Sequence, residues 1–244
     1  MDQKRVLVLF DVDGTLSESR KTATPEMASF LRTLATVVDV GYIGGSDYKK
    51  QVEQLHEDLL SEATFSFSEN GLVAFHNQVL INKMSIKVQI GETRLRQFID
   101  DTLLILSKTD YPIKRGTFIE FRNGMLNISP IGRNCTQEER DEFFAYDKIH
   151  QVRQKMIDQL EPKYKDIFTF SIGGQISFDV FPHGWDKSYA LQFCTGYEQI
   201  HFFGDMTEKG GNDYEIFIDP RVIGHSVKNP ADTIEQCTKL FIKQ

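Results

Sequence analysis

The chain is poor in cysteine: its 244 residues contain three, Cys135, Cys194 and Cys237. They form neither a CxxC pair nor a disulfide framework, and the pattern fits a reducing, cytoplasmic setting. There is no Lys/Arg-rich block, and 35 acidic residues outweigh 28 basic ones for a formal charge of -7. Nucleic acid is therefore not an expected partner, although a local basic pocket for a small anion is compatible with that balance. An apolar run of membrane length is missing too, so no membrane span is expected. Met1-Asp2-Gln3-Lys4-Arg5 leads straight into an apolar segment, without the pattern of a signal peptide. Strong repeats and low-complexity tracts are also lacking. What remains is a chain long enough for one large domain or two modest ones.

The segment that follows carries the most information. Val6-Leu7-Val8-Leu9-Phe10 reads as a buried strand, and it ends in Asp11-Val12-Asp13-Gly14-Thr15. Strand ends are where an α/β sheet places its chemistry. Two carboxylates this close repel unless a cation or a shared proton compensates. The pair points to metal-assisted phosphoryl chemistry; a strand followed by an ordinary Asp-Gly turn is the other reading.

Strands and helices then alternate. Thr24-Pro25-Glu26 reads as an N-cap with proline in the first turn, followed by Met27, Phe30, Leu31 and Leu34 at helical spacing. Val37–Ile43 reads as a second strand ending at Gly44-Gly45-Ser46-Asp47, and a helix carries Val52, Leu55 and Leu59. Phe65–Phe67 is a third strand, and a hairpin turns at His76-Asn77-Gln78. The middle of the chain changes character. A helix over 91–107 precedes strand-like runs Thr117–Phe121 and Met125–Ser129, joined through Asn123-Gly124. Thr136-Gln137-Glu138-Glu139 is a capping box opening one long helix. Two strands, Phe168–Ile172 and Gln175–Val180, flank Gly173-Gly174. This middle segment reads as an antiparallel sheet backed by helices. The parallel pattern resumes with a helix at 186–194 and a strand Ile200–Phe203 before Gly204-Asp205. A short helix near 212–217, a strand near 222–227 and a helix from Pro230 close the chain. The expected fold is a doubly wound α/β core, residues 1–82 and 185–244, with an α+β insertion at 83–184.

The core strands present Asp11 and Asp13, Ser46, Lys187 and Asp205 at their tips, which parallel strands would gather at one edge. A carboxylate can attack phosphorus, and a second can give or take the proton. A serine and a lysine can hold the non-bridging oxygens. A distant aspartate can hold a hard divalent cation such as Mg²⁺ together with the nucleophile. Taken singly, Ser46 could cap a helix, Lys187 could be solvated and Asp205 could be a turn residue.

These pieces, with Asp213, resemble the four motifs of the haloacid dehalogenase superfamily, and the resemblance implies a Rossmann-like core with a cap domain inserted. Over essentially the whole chain the sequence resembles the eukaryotic-type phosphomannomutase family. The stretches that carry this are Gly44-Gly45-Ser46-Asp47, Glu69-Asn70-Gly71-Leu72, Arg115–Met125, Ser129-Pro130-Ile131-Gly132-Arg133, Gly173–Pro182, Gly184-Trp185-Asp186-Lys187 and Gly210-Gly211-Asn212-Asp213. The resemblance implies Asp11 as nucleophile, Asp13 as general acid/base, and catalytic roles for Ser46 and Lys187. It implies sugar-phosphate contacts at Arg20, Arg122, Arg133, Arg140, Ser177 and Asp179, in a pocket between core and cap. A guanidinium suits phosphate better than an ammonium does, and Arg140, near a helix start, is reasonable where an anion binds; ordinary surface arginines are the alternative. Ser177 and Asp179 share one strand face and Phe178 takes the other, as an edge strand without function would also have it.

Metal ligands are implied at Asp11, Asp13, Asp205 and Asp213, and a second, structural cation at Phe217, Asp219 and Val222. Met206 and Lys209 stand where relatives are expected to vary. The implied activity moves phosphate between C6 and C1 of mannose, with Mg²⁺ and a hexose 1,6-bisphosphate activator. Its product, mannose 1-phosphate, would serve GDP-mannose synthesis and protein glycosylation, and glucose phosphates are an expected side activity. The implied assembly is a homodimer through the caps. A sugar-phosphate phosphatase shares the first half-reaction, and a non-catalytic phosphosugar-binding protein would keep the fold but lose the motif residues.

Overall fold

Leu7 and Leu9 point to one side of strand β1 (Val6–Phe10) and Val8 and Phe10 to the other, and all four side chains are wholly buried. A strand apolar on both faces needs cover on both. Burying each such side chain contributes roughly 1.5–3 kcal/mol, so β1 fixes the centre of the sheet. The computed structural model describes residues 5–18 and 21–242; Arg20 lies outside the described residues.

The chain forms two compact units, one of residues 1–83 with 184–244 and one of residues 84–183. In the first unit, α1 (Pro25–Leu34) starts where Thr24 accepts from the Met27 amide, and it buries Met27, Leu31 and Leu34. Next come β2 (Asp39–Ile43), α2 (Tyr48–Glu62), β3 (Phe65–Ser68) and the pair β4 (Val73–His76) and β5 (Val79–Lys83). Helix α2 is not continuous: His56 has φ 62° and ψ 156°, which breaks it.

The second unit holds α3 (Ile86–Ile90), α4 (Glu92–Lys108), β6 (Ile119–Phe121), β7 (Leu126–Ile128), α5 (Gln137–His150), α6 (Val152–Tyr164), β8 (Phe168–Gly173) and β9 (Ser177–Pro182). Its strands pair antiparallel in the order β6-β7-β9-β8. The capping box at Thr136 and Glu139 is present on both sides. The single long helix expected after it is two helices, because Gln151 takes the left-handed conformation at φ 52°. A buried ion pair spans the break. Asp147 turns back to accept from the Arg153 backbone amide at 3.0 Å and from its Nε at 2.7 Å, and both residues are buried.

The chain then returns to the first unit through β10 (Gln199–Gly204), α7 (Tyr214–Phe217), β11 (Ile223–Ser226) and α8 (Pro230–Cys237). The helix expected at 186–194 is instead a tighter 3₁₀ segment, Lys187–Phe193, capped by Asp186. It runs so close to the loop after β3 that a Cβ on Gly71 would lie 2.9 Å from the Ala190 Cα. Among the described residues the sheet order is β11-β10-β1-β2-β3-β4-β5, parallel from β11 to β3 and antiparallel beyond. The chain walks outward on one side of β1 and returns on the other. The crevice beyond the carboxyl end of β1 is therefore the switch point of the sheet.

Breaking the Asp147–Arg153 pair should be costly, since a guanidinium stripped of its carboxylate stays buried. Asp147→Ala is expected to destabilise the protein by about 3–5 kcal/mol. Urea unfolding measures this, and a loss below about 1 kcal/mol would mean the pair does not hold the helix break.

Candidate active site

Asp11 is the residue after β1, and its amide donates to the Phe203 carbonyl at 2.9 Å, so it is aligned by the β1–β10 pairing. Its side chain is 5 % exposed. Lys187, 1 % exposed, donates through Nζ to Asp11 Oδ1 and, at 2.5 Å, to Asp213 Oδ1. The Asp213 Oδ2 accepts from the Met206 amide at 3.0 Å. Asp205, at the end of β10, completes a group in which ligand oxygens of Asp11, Asp205 and Asp213 lie within 4.8 Å of one another.

The glycines of the motifs make room for these carboxylates. Gly14, at φ +78°, lies so near Asp205 that a Cβ there would fall 2.1 Å from its Oδ2. A Cβ on Gly204 would fall 2.6 Å from the Asp213 Oδ2. Thr15 is fully buried, and its Oγ1 has no hydrogen-bond partner among the described residues.

Three clustered carboxylates exceed the charge of one ammonium. Burial pushes the Asp11 carboxyl up to about 7; Lys187 pulls it down, while Asp213 and Asp205 push the same way as burial. Asp205 is raised by burial and by Asp213. Burial alone would depress Lys187, but Asp11 and Asp213 hold it charged and above its usual range. The oxygen-only donor set and its surplus negative charge fit a hard divalent cation.

Asp13 is expected among the ligands, but its carboxylate stands outside that group. Its Oδ1 accepts from Gln54 Nε2 at 2.9 Å. Ser46 is half-buried in the loop after β2, which is pinned by the Glu69 amide on its own carbonyl and the Asn70 amide on that of Gly44. The helix cap is its neighbour Asp47, which accepts from the Lys50 amide at 2.8 Å. At the turn where the second cation is expected, with Phe217, Asp219 and Val222, the two Asp219 oxygens accept from Arg221 at 2.9 and 2.7 Å.

In the second unit, Arg122, Arg133, Ser177 and Asp179 belong to one network. Arg122 donates to Glu120 Oε2 at 2.6 Å, and Arg133 forms an ion pair with the same oxygen at 3.2 Å. Arg140 donates to the Arg133 carbonyl at 3.0 Å. Burial pushes Arg133 below its usual value; Glu120 opposes this, and Arg122 and Arg140 add to it. Two guanidinium groups thus share a single glutamate, with that of Arg140 close to Arg133, a setting that favours an incoming anion.

Asn127, 4 % exposed, is the hub: its Nδ2 donates to Ser177 Oγ at 3.0 Å and Asp179 Oδ1 at 2.6 Å, and its Oδ1 accepts from Arg133. Sequence reasoning missed Asn127, Glu120 and Gln54. For the first two the signal was available, because a hairpin at Asn123-Gly124 puts Asn127 opposite Glu120, and Glu120 shares a strand face with Arg122. Nothing local marks Gln54.

Residues 27–243 match the eukaryotic phosphomannomutase family. The chain is 57 % identical over 240 residues to a phosphomannomutase of Oryza sativa subsp. indica, covering 98 % of this chain and 97 % of that protein. It is 55 % identical to a phosphomannomutase of Arabidopsis thaliana, covering 97 % of each. In fold it is similar to a haloacid dehalogenase-like hydrolase from Bacteroides thetaiotaomicron, with a TM-score of 0.61 at 15 % identity over 98 % of this chain and 100 % of that one.

The surplus charge around Asp11 gives a pH signature. An unfolded aspartate titrates near 3.8 and the folded Asp11 near 7, so between these values the folded protein holds the extra proton. Without a divalent cation this group's contribution to stability falls as pH rises through that window and stays lost above it. Saturating Mg²⁺ should therefore raise the melting temperature more at about pH 7.5 than at about pH 5. Thermal unfolding with Mg²⁺ and with chelator measures this, and an equal rise at both pH values would contradict a cation seated on these carboxylates.

Proposed function

The chain belongs to the eukaryotic phosphomannomutase family and is an isomerase of that kind, and from that premise we propose that it interconverts mannose 6-phosphate and mannose 1-phosphate through a phosphorylated Asp11. The observation that supports this most directly is the placement of Asp11: buried at the switch point of the sheet, held by a charged lysine and flanked by two further carboxylates.

The cycle starts with Asp11 carrying a phosphoryl group derived from a hexose 1,6-bisphosphate. A free hydroxyl of the sugar monophosphate attacks phosphorus, its proton goes to Asp13, and the Asp11 carboxylate is released. The bisphosphate so formed turns end for end. Asp11 then attacks the other phosphate, and Asp13 returns the proton to the departing sugar oxygen. Lys187 keeps Asp11 oriented and, with Ser46, holds the non-bridging oxygens as charge builds. A Mg²⁺ ion on Asp11, Asp205 and Asp213 would offset the charge of the carboxylate and the transferring group.

Arg122, Arg133 and Arg140 hold the phosphate that is not reacting, and Ser177 and Asp179, set by Asn127, take sugar hydroxyls. Arg20, whose place in the fold lies outside the described residues, is assigned to the same phosphate on family resemblance. Mannose 1-phosphate is the form a nucleotidyl transfer requires, so the product supplies GDP-mannose synthesis, and a pocket that accepts a flipped sugar also admits glucose phosphates. The protein works in the cytoplasm as a homodimer through the second unit, whose exposed Leu103, Leu104 and Phe121 suit a covered face. No helix among the described residues is long and apolar enough to cross a membrane.

The deciding assay follows mannose 1-phosphate conversion with and without hexose 1,6-bisphosphate, measuring free phosphate in the same tubes. Isomerisation that needs the bisphosphate and releases little phosphate supports the mutase; stoichiometric phosphate release makes the chain a phosphatase. Asp11→Asn should abolish aspartyl labelling by radioactive bisphosphate, and a variant that still labels on an aspartate would place the nucleophile elsewhere. Asp13→Asn should lower turnover by roughly 10²–10⁴-fold, read from steady-state rates at saturating activator.

Arg122→Ala and Arg140→Ala should weaken sugar-phosphate binding while leaving small aryl phosphates, which have no distal anion, little affected. Equal losses for both substrate types would argue for a damaged fold instead.

A further inference from the structure

Gln54 is an amide side chain with only 2 % of its surface exposed, lying beside Leu55 on the apolar face of α2. The core does not call for it: burying an amide is unfavourable unless its groups are hydrogen-bonded. Its Nε2 donates to Asp13 Oδ1 at 2.9 Å.

The helix is also built irregularly at this place. The break at His56 turns the carbonyls of Glu53 and Gln54 out of the helical ladder. The Gln54 carbonyl accepts from the Ala23 amide at 2.8 Å, and that of Glu53 from Thr22 Oγ1 at 3.3 Å. A non-glycine residue at this φ and ψ is strained, and such strain persists only where the surroundings enforce it. One residue therefore ties α2 to the chain on both sides of the motif loop, by its side chain to Asp13 and by its backbone to Ala23.

We infer that Gln54 is a positioning residue for proton transfer, fixing the plane of the Asp13 carboxyl so that it faces the sugar oxygen in both half-reactions. This rests on the proposed role of Asp13 as the acid and base. Asp13 must hold one geometry while ionised and while carrying a proton. An amide N–H only donates, so it pairs with the same carboxyl oxygen in both states provided the proton sits on the other. When the bisphosphate phosphorylates Asp11, the Asp11 oxygen bonds to phosphorus, the phosphorus–sugar oxygen bond breaks, and the proton passes from Asp13 to that oxygen. A carboxyl held at another angle would present the wrong edge, and misplacement of about 1 Å can cost 10²-fold in rate.

The test separates this role from a structural one through the leaving group. Nitrophenolate departs without needing a proton, whereas a sugar alkoxide does not. Gln54→Met keeps the volume and removes the amide; Gln54→Asn keeps the amide but is one methylene too short to reach. Single-turnover phosphorylation of Asp11 is measured with hexose 1,6-bisphosphate and, as the burst of nitrophenolate, with p-nitrophenyl phosphate, beside Asp13→Asn and the Gln54→Met/Asp13→Asn double variant.

The expected result is a loss of about tenfold or more with the bisphosphate for either Gln54 variant, a much smaller loss in the nitrophenolate burst, and no further loss when Gln54→Met is added to Asp13→Asn. Equal losses with both phosphoryl donors, or losses that multiply in the double variant, would overturn the inference and make Gln54 a packing residue. A wild-type rate in the Gln54 variants while Asp13→Asn is slow would overturn it as well. If Asp13→Asn is itself as fast as wild type with the bisphosphate, the reading of Asp13 fails first, and that outcome is distinct from the others.

Discussion

The arrangement depends on one ammonium group. Lys187 lies buried between Asp11 and Asp213, two carboxylates that come from opposite parts of the chain. At about 4 Å and an effective dielectric near 20, a single such charge pair is worth about 4 kcal/mol of Coulomb energy, much of which desolvation cancels. The lysine is therefore not explained as a stabilising bridge. What it supplies is geometry: Asp11 Oδ1 is engaged, and Asp213, fixed from the other side by the Met206 amide, cannot drift. Removing either carboxylate would leave a buried cation short of partners, so the three residues are constrained together.

This cluster also explains why the parallel half of the sheet has the order it has. Asp11 follows β1 and Asp205 follows β10, and these strands are direct neighbours in register from Val6–Gln199 to Phe10–Phe203. Shifting that register by one residue would turn every buried side chain of β1 to the opposite face. Because Leu7, Val8, Leu9 and Phe10 are all fully buried, the apolar packing and the spacing of the carboxylates are set by the same pairing. The apolar strand holds the charges at a fixed separation, and the charge surplus it cannot relieve is what makes the site receptive to a cation.

Much of this was legible along the chain. The caps at Thr24 and Thr136 act through side-chain-to-amide bonds a few residues long, and short-range chemistry is what a sequence displays. Strand β1 was legible because an apolar run of five ending in Asp-x-Asp-Gly has few other readings. The departures turn on contacts that a sequence does not display. The break at Gln151 is spanned by the Asp147 carboxylate on the backbone and guanidinium of Arg153, whose Nη1 also donates to the Gly174 and Ser177 carbonyls. The 3₁₀ winding of Lys187–Phe193 accompanies close packing on Gly71, more than a hundred residues away.

The glycines sharpen that distinction. Asp-Gly after a strand looks like a turn signal, and Gly14 does take a positive φ. Its conformation alone would also tolerate asparagine at modest cost. The space around it would not, because the carboxylate of Asp205, contributed by a strand almost two hundred residues later, occupies the position of a Cβ. Gly204 is the same case without a positive φ: its missing side chain is the volume taken by Asp213. A motif that reads as local turn chemistry is thus in large part the imprint of carboxylates from elsewhere, packed against bare backbone so that three of them can converge. The glycines and the aspartates are one constraint, and neither set can be exchanged without the other.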